Sequence, residues 1–190
     1  MAQANPTRAN GSATGDETTL TGHYVDCDYK FAVKLPVGVV AHTGVPSAHG
    51  FTVNPGSPAS KETFSGADSR RFISVFPFYD VRDHEESTAG PLDYYSSLDY
   101  RGSEKNVERL NRKAFTLAGM HGVRIEDRLS GQSGIALQDT ILEFRRQDGI
   151  LYEFMLQTPT RTYAVDKMLF NRIVEGFRLS KIPPAECSSK

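Results

Sequence analysis

The stretch from Ile141 to Thr158 constrains the chain most. Two apolar-rich arms, Ile141–Arg146 and Ile150–Thr158, flank Gln147-Asp148-Gly149. Asp-Gly supplies the positive φ angles that a tight hairpin turn requires, so the segment predicts an antiparallel hairpin. In the second arm Ile150, Tyr152, Phe154 and Leu156 share one face, as in a strand with its apolar side on a core.

Other segments supply neighbours for that hairpin. Tyr29, Phe31, Val33 and Leu35 alternate with Lys30, Ala32 and Lys34, the period-two pattern of a strand with one wet face, and Pro36 ends it. Val37–Ala41 and Gly50–Val53 read as short strands, residues 54–70 as a loop rich in Pro, Gly and Ser. Phe72–Tyr79 is apolar on both faces, as in the middle of a sheet, and Pro77 predicts a break or an edge there. Pro91–Leu98 reads as a short helix capped by Ser87 or Thr88. Strand-like segments follow at Lys113–Leu117 and Gly122–Arg128, joined through Ala118-Gly119-Met120.

The closing element is a helix from Thr162 to Gly176. Val165, Leu169, Ile173 and Phe177 recur every four residues, with Met168 and Val174 widening the apolar stripe. Asp166 lies near the positive N-terminal end, where a carboxylate is favoured. Phe177-Arg178-Leu179 is a final short strand. The order predicts an α+β domain, an antiparallel sheet with helices packed on it.

A chain of 190 residues holds one domain of ordinary size plus tails. Residues 1–22 are mostly small and polar, with Leu20 the only large aliphatic. They cannot offset the ordering entropy of roughly 1–2 kcal/mol per residue, so they read as a disordered leader. The domain then occupies residues 23–182 and a tail residues 183–190. No apolar signal-peptide core is visible, while Ala2-Gln3-Ala4 has the small-x-small form of a cleavage site, consistent with a mature secreted form.

The 22 Lys and Arg nearly balance 23 Asp and Glu, which argues against general nucleic-acid binding, where clustered cations neutralise phosphates. No apolar stretch is long enough to span a membrane. Two cysteines, Cys27 and Cys187, lie just inside the two tails. If they pair, the bridge closes almost the whole domain, worth about 5 kcal/mol in the chain-entropy model; the alternative is two separate thiols in a reducing compartment. No C-x-x-C occurs, so redox catalysis and a cysteine zinc site lack support.

Tyr29-Lys30-Phe31-Ala32-Val33-Lys34-Leu35-Pro36 resembles the first strand of PsbP/Mog1-like domains. The resemblance continues through the Asp148-Gly149 hairpin and the strand Ile150–Thr158. It ends in the closing Phe170-Asn171-Arg172-Ile173-Val174-Glu175-Gly176-Phe177, where Gly176 stands at a position the family often fills with Ser. It implies an α/β/α sandwich over residues 29–179, in a group that includes photosystem accessory proteins, a small-GTPase partner and secreted or lipid-anchored bacterial proteins, mostly binding or assembly factors. None of the group's partner-binding residues maps onto this chain, and fold analogy does not establish function.

Chemical motifs are sparse. The five histidines, at 23, 42, 49, 84 and 121, form no H-E-x-x-H pair. Asp80, Asp83, Glu85 and Glu86 crowd carboxylates together without the ordered spacing of a calcium loop, and read as a solvated acidic loop. Ser130-Gly131-Gln132-Ser133-Gly134 lacks the second glycine of a nucleophile elbow, and no phosphate-cradling glycine motif occurs. His49-Gly50-Phe51 is a turn or the lining of a cleft. Lys105, Arg109, Arg112 and Lys113 form a basic cluster suited to an acidic partner if they share a face. Tyr94, Tyr95 and Tyr100 flank the short helix and suit either packing or an interface.

These features predict a non-enzymatic, extracytoplasmic bacterial protein, periplasmic or secreted, that binds another protein or assists its assembly. A bacterial immunity protein is a narrower form. The candidate partner-binding residues are Tyr94, Tyr95, Tyr100, Arg109, Arg112 and Lys113; the expected disulfide is Cys27–Cys187; no catalytic residue, metal or cofactor is expected. A small-ligand carrier, or an enzyme whose site is assembled only in space, such as His49 or His121 with an aspartate, is the alternative.

Overall fold

A computed structural model of the chain describes residues 18–43, 49–59, 70–79, 106–130, 135–146 and 149–179. The strands, in chain order, are β1 (Thr18–Thr21), β2 (His23–Asp26), β3 (Phe31–Lys34), β4 (Val40–Thr43), β5 (Phe51–Val53), β6 (Phe72–Tyr79), β7 (Val107–Leu117), β8 (Met120–Ser130), β9 (Ala136–Arg145) and β10 (Ile150–Pro159). The helix α1 (Tyr163–Glu175) and the strand β11 (Phe177–Leu179) close the chain of described elements.

Eight strands form one antiparallel sheet in the order β1-β4-β5-β6-β10-β9-β8-β7, and β11-β3-β2 form a second. The Ile141–Thr158 hairpin sits at the centre of the large sheet, with Leu151 opposite Arg145 and β6 pairing the far side of β10. Ile150, Tyr152, Phe154 and Leu156 point together into the main core, which also takes Phe31 and Val33 of β3, Phe170 and Ile173 of α1, and Phe177. Phe31, Tyr152 and Phe154 each meet the Phe177 ring at 5.3–5.7 Å between centroids, so the small sheet and α1 cover the same face of the large one. Strand alternation puts Val123, Ile125, Ile141 and Leu151 on the opposite face, in a second buried cluster.

Three expectations change. Residues 18–21 fall within the expected leader but form β1, pairing Thr18–Thr21 with Thr43–Val40, and Gly22 accepts the Leu35 N–H. Backbone pairing with β4 holds this stretch without needing large side chains, which is why its composition hid it. Of the break or edge expected at Pro77, the break is absent and the edge is present: β6 runs unbroken to Tyr79, while β5 pairs only residues 73–75 of it. Beyond Val75 that side of β6 carries no β5 residue, so a residue without an N–H is accommodated. The domain is also more sheet-dominated than expected, with one helix among the described residues. That helix is too short to cross a membrane. The predicted helix at 91–98 lies outside the described residues.

Candidate docking surface

The closing helix puts most of its expected apolar stripe on the core, with Ile173, Val174 and Phe177 buried and Leu169 packed against them, but is rotated so that one edge of the stripe faces water. Its buried residues are Asp166, Phe170, Ile173 and Val174, whereas Val165 and Met168, both expected in the apolar stripe, are each 69% exposed. The phase is set by Asp166. Arg71, just before β6, donates from Nε and Nη2 to the two Asp166 carboxylate oxygens at 2.9 and 2.8 Å. The Thr158 hydroxyl of β10 donates to the same carboxylate, which is only 1% exposed. A buried charge must be paired and hydrogen-bonded, so the helix rotates to reach Arg71 and turns Val165 outward. At 100° per residue, Val165, Met168, Arg172 and Glu175 then lie along one solvent stripe, about 15 Å long at the ordinary helical rise.

The stripe runs into a groove of about 440 Å³ at the helix C-terminus, lined by Lys34, Pro36, Val37, Arg172, Glu175 and Arg178 among others. Two close approaches build it. The Lys34 N–H donates to the Gly176 carbonyl at 3.0 Å, and a Cβ at Gly176 would fall 2.2 Å from the Lys34 carbonyl oxygen, so only glycine fits where β3 crosses the helix end. Gly38, at φ +80°, closes the turn that lifts Val37 to 100% exposure. Arg178 donates from Nη1 to the Glu175 and Phe177 carbonyls, satisfying acceptors at the helix end. Three apolar side chains left in water beside cations are the composition of an interface, and burying each is worth about 1–2 kcal/mol.

A second constellation lies under the β2–β3 turn. Buried Asp26 accepts the Tyr24 hydroxyl at 2.9 Å, His49 Nδ1 at 3.0 Å and the Tyr29 N–H at 2.9 Å. The Gly50 N–H donates to the Tyr24 hydroxyl at 2.7 Å. Burial first, and the neighbouring Asp26 charge next, push the Tyr24 hydroxyl well above the usual phenol range. The Tyr29 ring meets the imidazole edge-on at 4.6 Å, and His49 Nε2 faces Asp28 at 3.9 Å. An imidazole oriented through Nδ1 by a buried carboxylate has the geometry of a general base. Thus His49, expected to be a turn or cleft residue or, in the alternative, to meet an aspartate only in space, is joined with Asp26, 23 positions away.

The basic cluster is divided by local geometry. A bulge at Leu110 shifts the register so that Arg109 faces Asp127 and Arg112 faces Ile125. Arg109 and Arg112 therefore share one face of β7, and Lys113, opposite Arg124, lies on the other. Arg109 Nε donates to buried Asp127. Arg71, which follows Arg70, and Arg146, which follows Arg145, serve as internal donors, Arg71 to Asp166 and Arg146 to the Tyr152 hydroxyl and the Tyr29 carbonyl. Cys27 sits in the β2–β3 turn; Cys187, Tyr94, Tyr95, Tyr100, Lys105, the acidic loop around Glu85 and Ser133 lie outside the described residues. The helix stripe was missed because exposed Val and Met at helical spacing read as core. The one available signal was Asp166, a charge set among the helix positions that face the core.

No protein-family model matches the sequence, and no curated protein matches it. Among solved structures, cyanobacterial PsbP (CyanoP) from Synechocystis is similar over 91% of this chain and 98% of its own, with TM-score 0.52 and 16% identity. LpqN, involved in cell envelope biogenesis of Mycobacterium tuberculosis, aligns over 87% of this chain and 91% of its own, with TM-score 0.45 and 10% identity. The Ran-binding protein Mog1p of Saccharomyces cerevisiae aligns over 87% of this chain and 96% of its own, with TM-score 0.46 and 12% identity. The chain has the PsbP-like fold that its first strand and closing helix resemble.

Proposed function

We propose that this chain is a non-catalytic, extracytoplasmic binding or accessory factor that docks a protein partner on the outward stripe of α1. One observation carries the reading: the helix buries Asp166 while leaving Val165 and Met168 in water. In this rotation the fold gains the Arg71–Asp166 pair and the burial of Phe170, Ile173 and Val174 but leaves two large apolar side chains in water, and a partner that covers the pair removes that cost. PsbP-like neighbours that include a Ran-binding protein and a cell-envelope protein are in keeping with a binding role. Export is in keeping with the expected Cys27–Cys187 bridge.

The test pairs Val165→Glu and Met168→Glu with Thr116→Glu on the exposed part of β7, in cells of the native source. Affinity purification under cross-linking should recover a defined partner with the wild type and Thr116→Glu, and lose it with either helix variant. Equal recovery from all four overturns the reading.

The Asp26–His49 pair supports a second reading, an enzyme with His49 as general base. Turnover of an ester, phosphoester or glycoside substrate that His49→Ala abolishes would favour it.

A further inference from the structure

We infer that the groove at the C-terminal end of α1 takes a short acidic segment of the partner, its carboxylates paired with Lys34, Arg172 and Arg178 and an apolar side chain set against Val37. The inference rests on the docking reading of the helix stripe and adds the chemistry of what is docked.

Charge complementarity identifies the occupant. The groove presents three cationic side chains to one carboxylate, Glu175, in a chain whose formal net charge is −1. The excess is therefore local. Such a patch steers an anionic partner and discriminates against a cationic one. Arg172 and Glu175 belong both to the groove and to the stripe of Val165 and Met168, so one ligand can span the two.

Size and apolar character narrow the class. A volume of about 440 Å³ lies in the range that takes a small ligand or a few residues, not a folded domain. Val37 stands fully exposed between Pro36 and Gly38, on a turn closed by the Val39 N–H donating to the Pro36 carbonyl at 3.1 Å, where it offers an apolar contact. Glu175 in the lining weakens the attraction for carboxylate and phosphate alike, but it can accept a backbone N–H, which a peptide supplies and a bare phosphate does not. An acidic peptide strand with an apolar residue between its carboxylates satisfies all of these groups together. An anionic lipid surface would use the cations but leave Glu175 without a donor.

The probe is a fluorescein-labelled synthetic peptide in which Asp and Glu flank a central pair of valines, compared with a peptide carrying Lys at the acidic positions. Fluorescence anisotropy with the full chain should show binding of the acidic peptide only, weakened at least tenfold by Arg172→Glu and by Val37→Asp. It should also weaken as salt rises from about 0.05 to about 0.5 M. Amide resonances of Lys34, Val37 and Gly176 should shift on titration. No binding, equal binding of the Lys peptide, or binding unaffected by both variants overturns the inference; so does binding of phosphatidylglycerol vesicles without binding of the peptide. If the peptide fails while Val165→Glu and Met168→Glu still abolish partner recovery, the acidic-segment inference falls and the docking reading stands. If the peptide binds the groove while those helix variants retain the partner, the docking reading falls instead.

Discussion

Arg71 grips Asp166 through two parallel hydrogen bonds of 2.9 and 2.8 Å, and this pair sets the rotation of the closing helix. Arg71→Ala leaves the carboxylate buried and without its cation, and should destabilise the fold by about 3–5 kcal/mol. The double variant Arg71→Met with Asp166→Leu should recover much of that loss. Urea unfolding of both variants measures it. A double variant as unstable as Arg71→Ala would show that the ion pair is not what holds the helix in place.

The exposed apolar pair should behave as surface in the isolated protein. Val165→Glu and Met168→Glu are each expected to change unfolding free energy by less than about 0.5 kcal/mol. Leu→Ala-type losses of about 2–5 kcal/mol belong to buried positions, and Ile173→Ala supplies that contrast. Thermal unfolding of the three variants separates the two classes.

Gly176→Ala tests the seam between β3 and the helix end. The added methyl would meet the Lys34 carbonyl oxygen at 2.2 Å, so backbone must shift and about 1–3 kcal/mol should be lost. Because the same residue lines the groove, the acidic-peptide affinity should fall with it. A fully stable variant would mean that β3 and the helix end separate at little cost.

Two groups give the stability a defined pH dependence. Burial raises the Glu126 carboxyl pKa, but the Lys167 ammonium, hydrogen-bonded at 2.9 Å, and the Arg124 guanidinium outweigh it and hold the group below the usual carboxylate range. A depressed folded pKa means that the unfolded chain takes up the proton first. The contribution of Glu126 is therefore present above the ordinary Glu range and disappears as pH falls through the lowered value. Glu126→Gln should cost stability at neutral pH and almost none in strong acid. Tyr24 behaves oppositely: its folded pKa is raised, so its contribution is complete below the ordinary tyrosine range near pH 10 and is lost as pH rises above it. Tyr24→Phe should flatten the alkaline limb of the unfolding curve.

The expected bridge has a simple readout. Thiol titration of the native protein should find no free cysteine without reductant and two after reduction, since Cys27 and Cys187 are the only cysteines. Free thiols in the native protein would remove the bridge and with it a support for export.

The strands legible from sequence were those with one face on the core. Tyr152, Phe154 and Leu156 announce β10 because each alternate position is buried. The outer half of β7 was opaque: most of Glu108–Lys113 is polar and wet, and the bulge at Leu110 breaks the alternation that would have shown which cations share a face. The helix limits were read nearly to the residue, yet its phase was not, because the pattern cannot see that an ion pair from Arg71 outranks two apolar side chains. The Asp26–His49 contact was hidden for a different reason: it forms where β2 of the small sheet meets the residues just before β5 of the large one, a juxtaposition between sheets that leaves no local signal in either segment.

The most direct measurement is site-specific photocrosslinking in the native host, with benzoylphenylalanine placed in turn at Met168, Val37 and Thr116. Positions 168 and 37 should give the same discrete protein adduct, and position 116, on the far edge of the sheet, should give none. No adduct from 168, or the same adduct from 116, would contradict docking on the outward face of the helix.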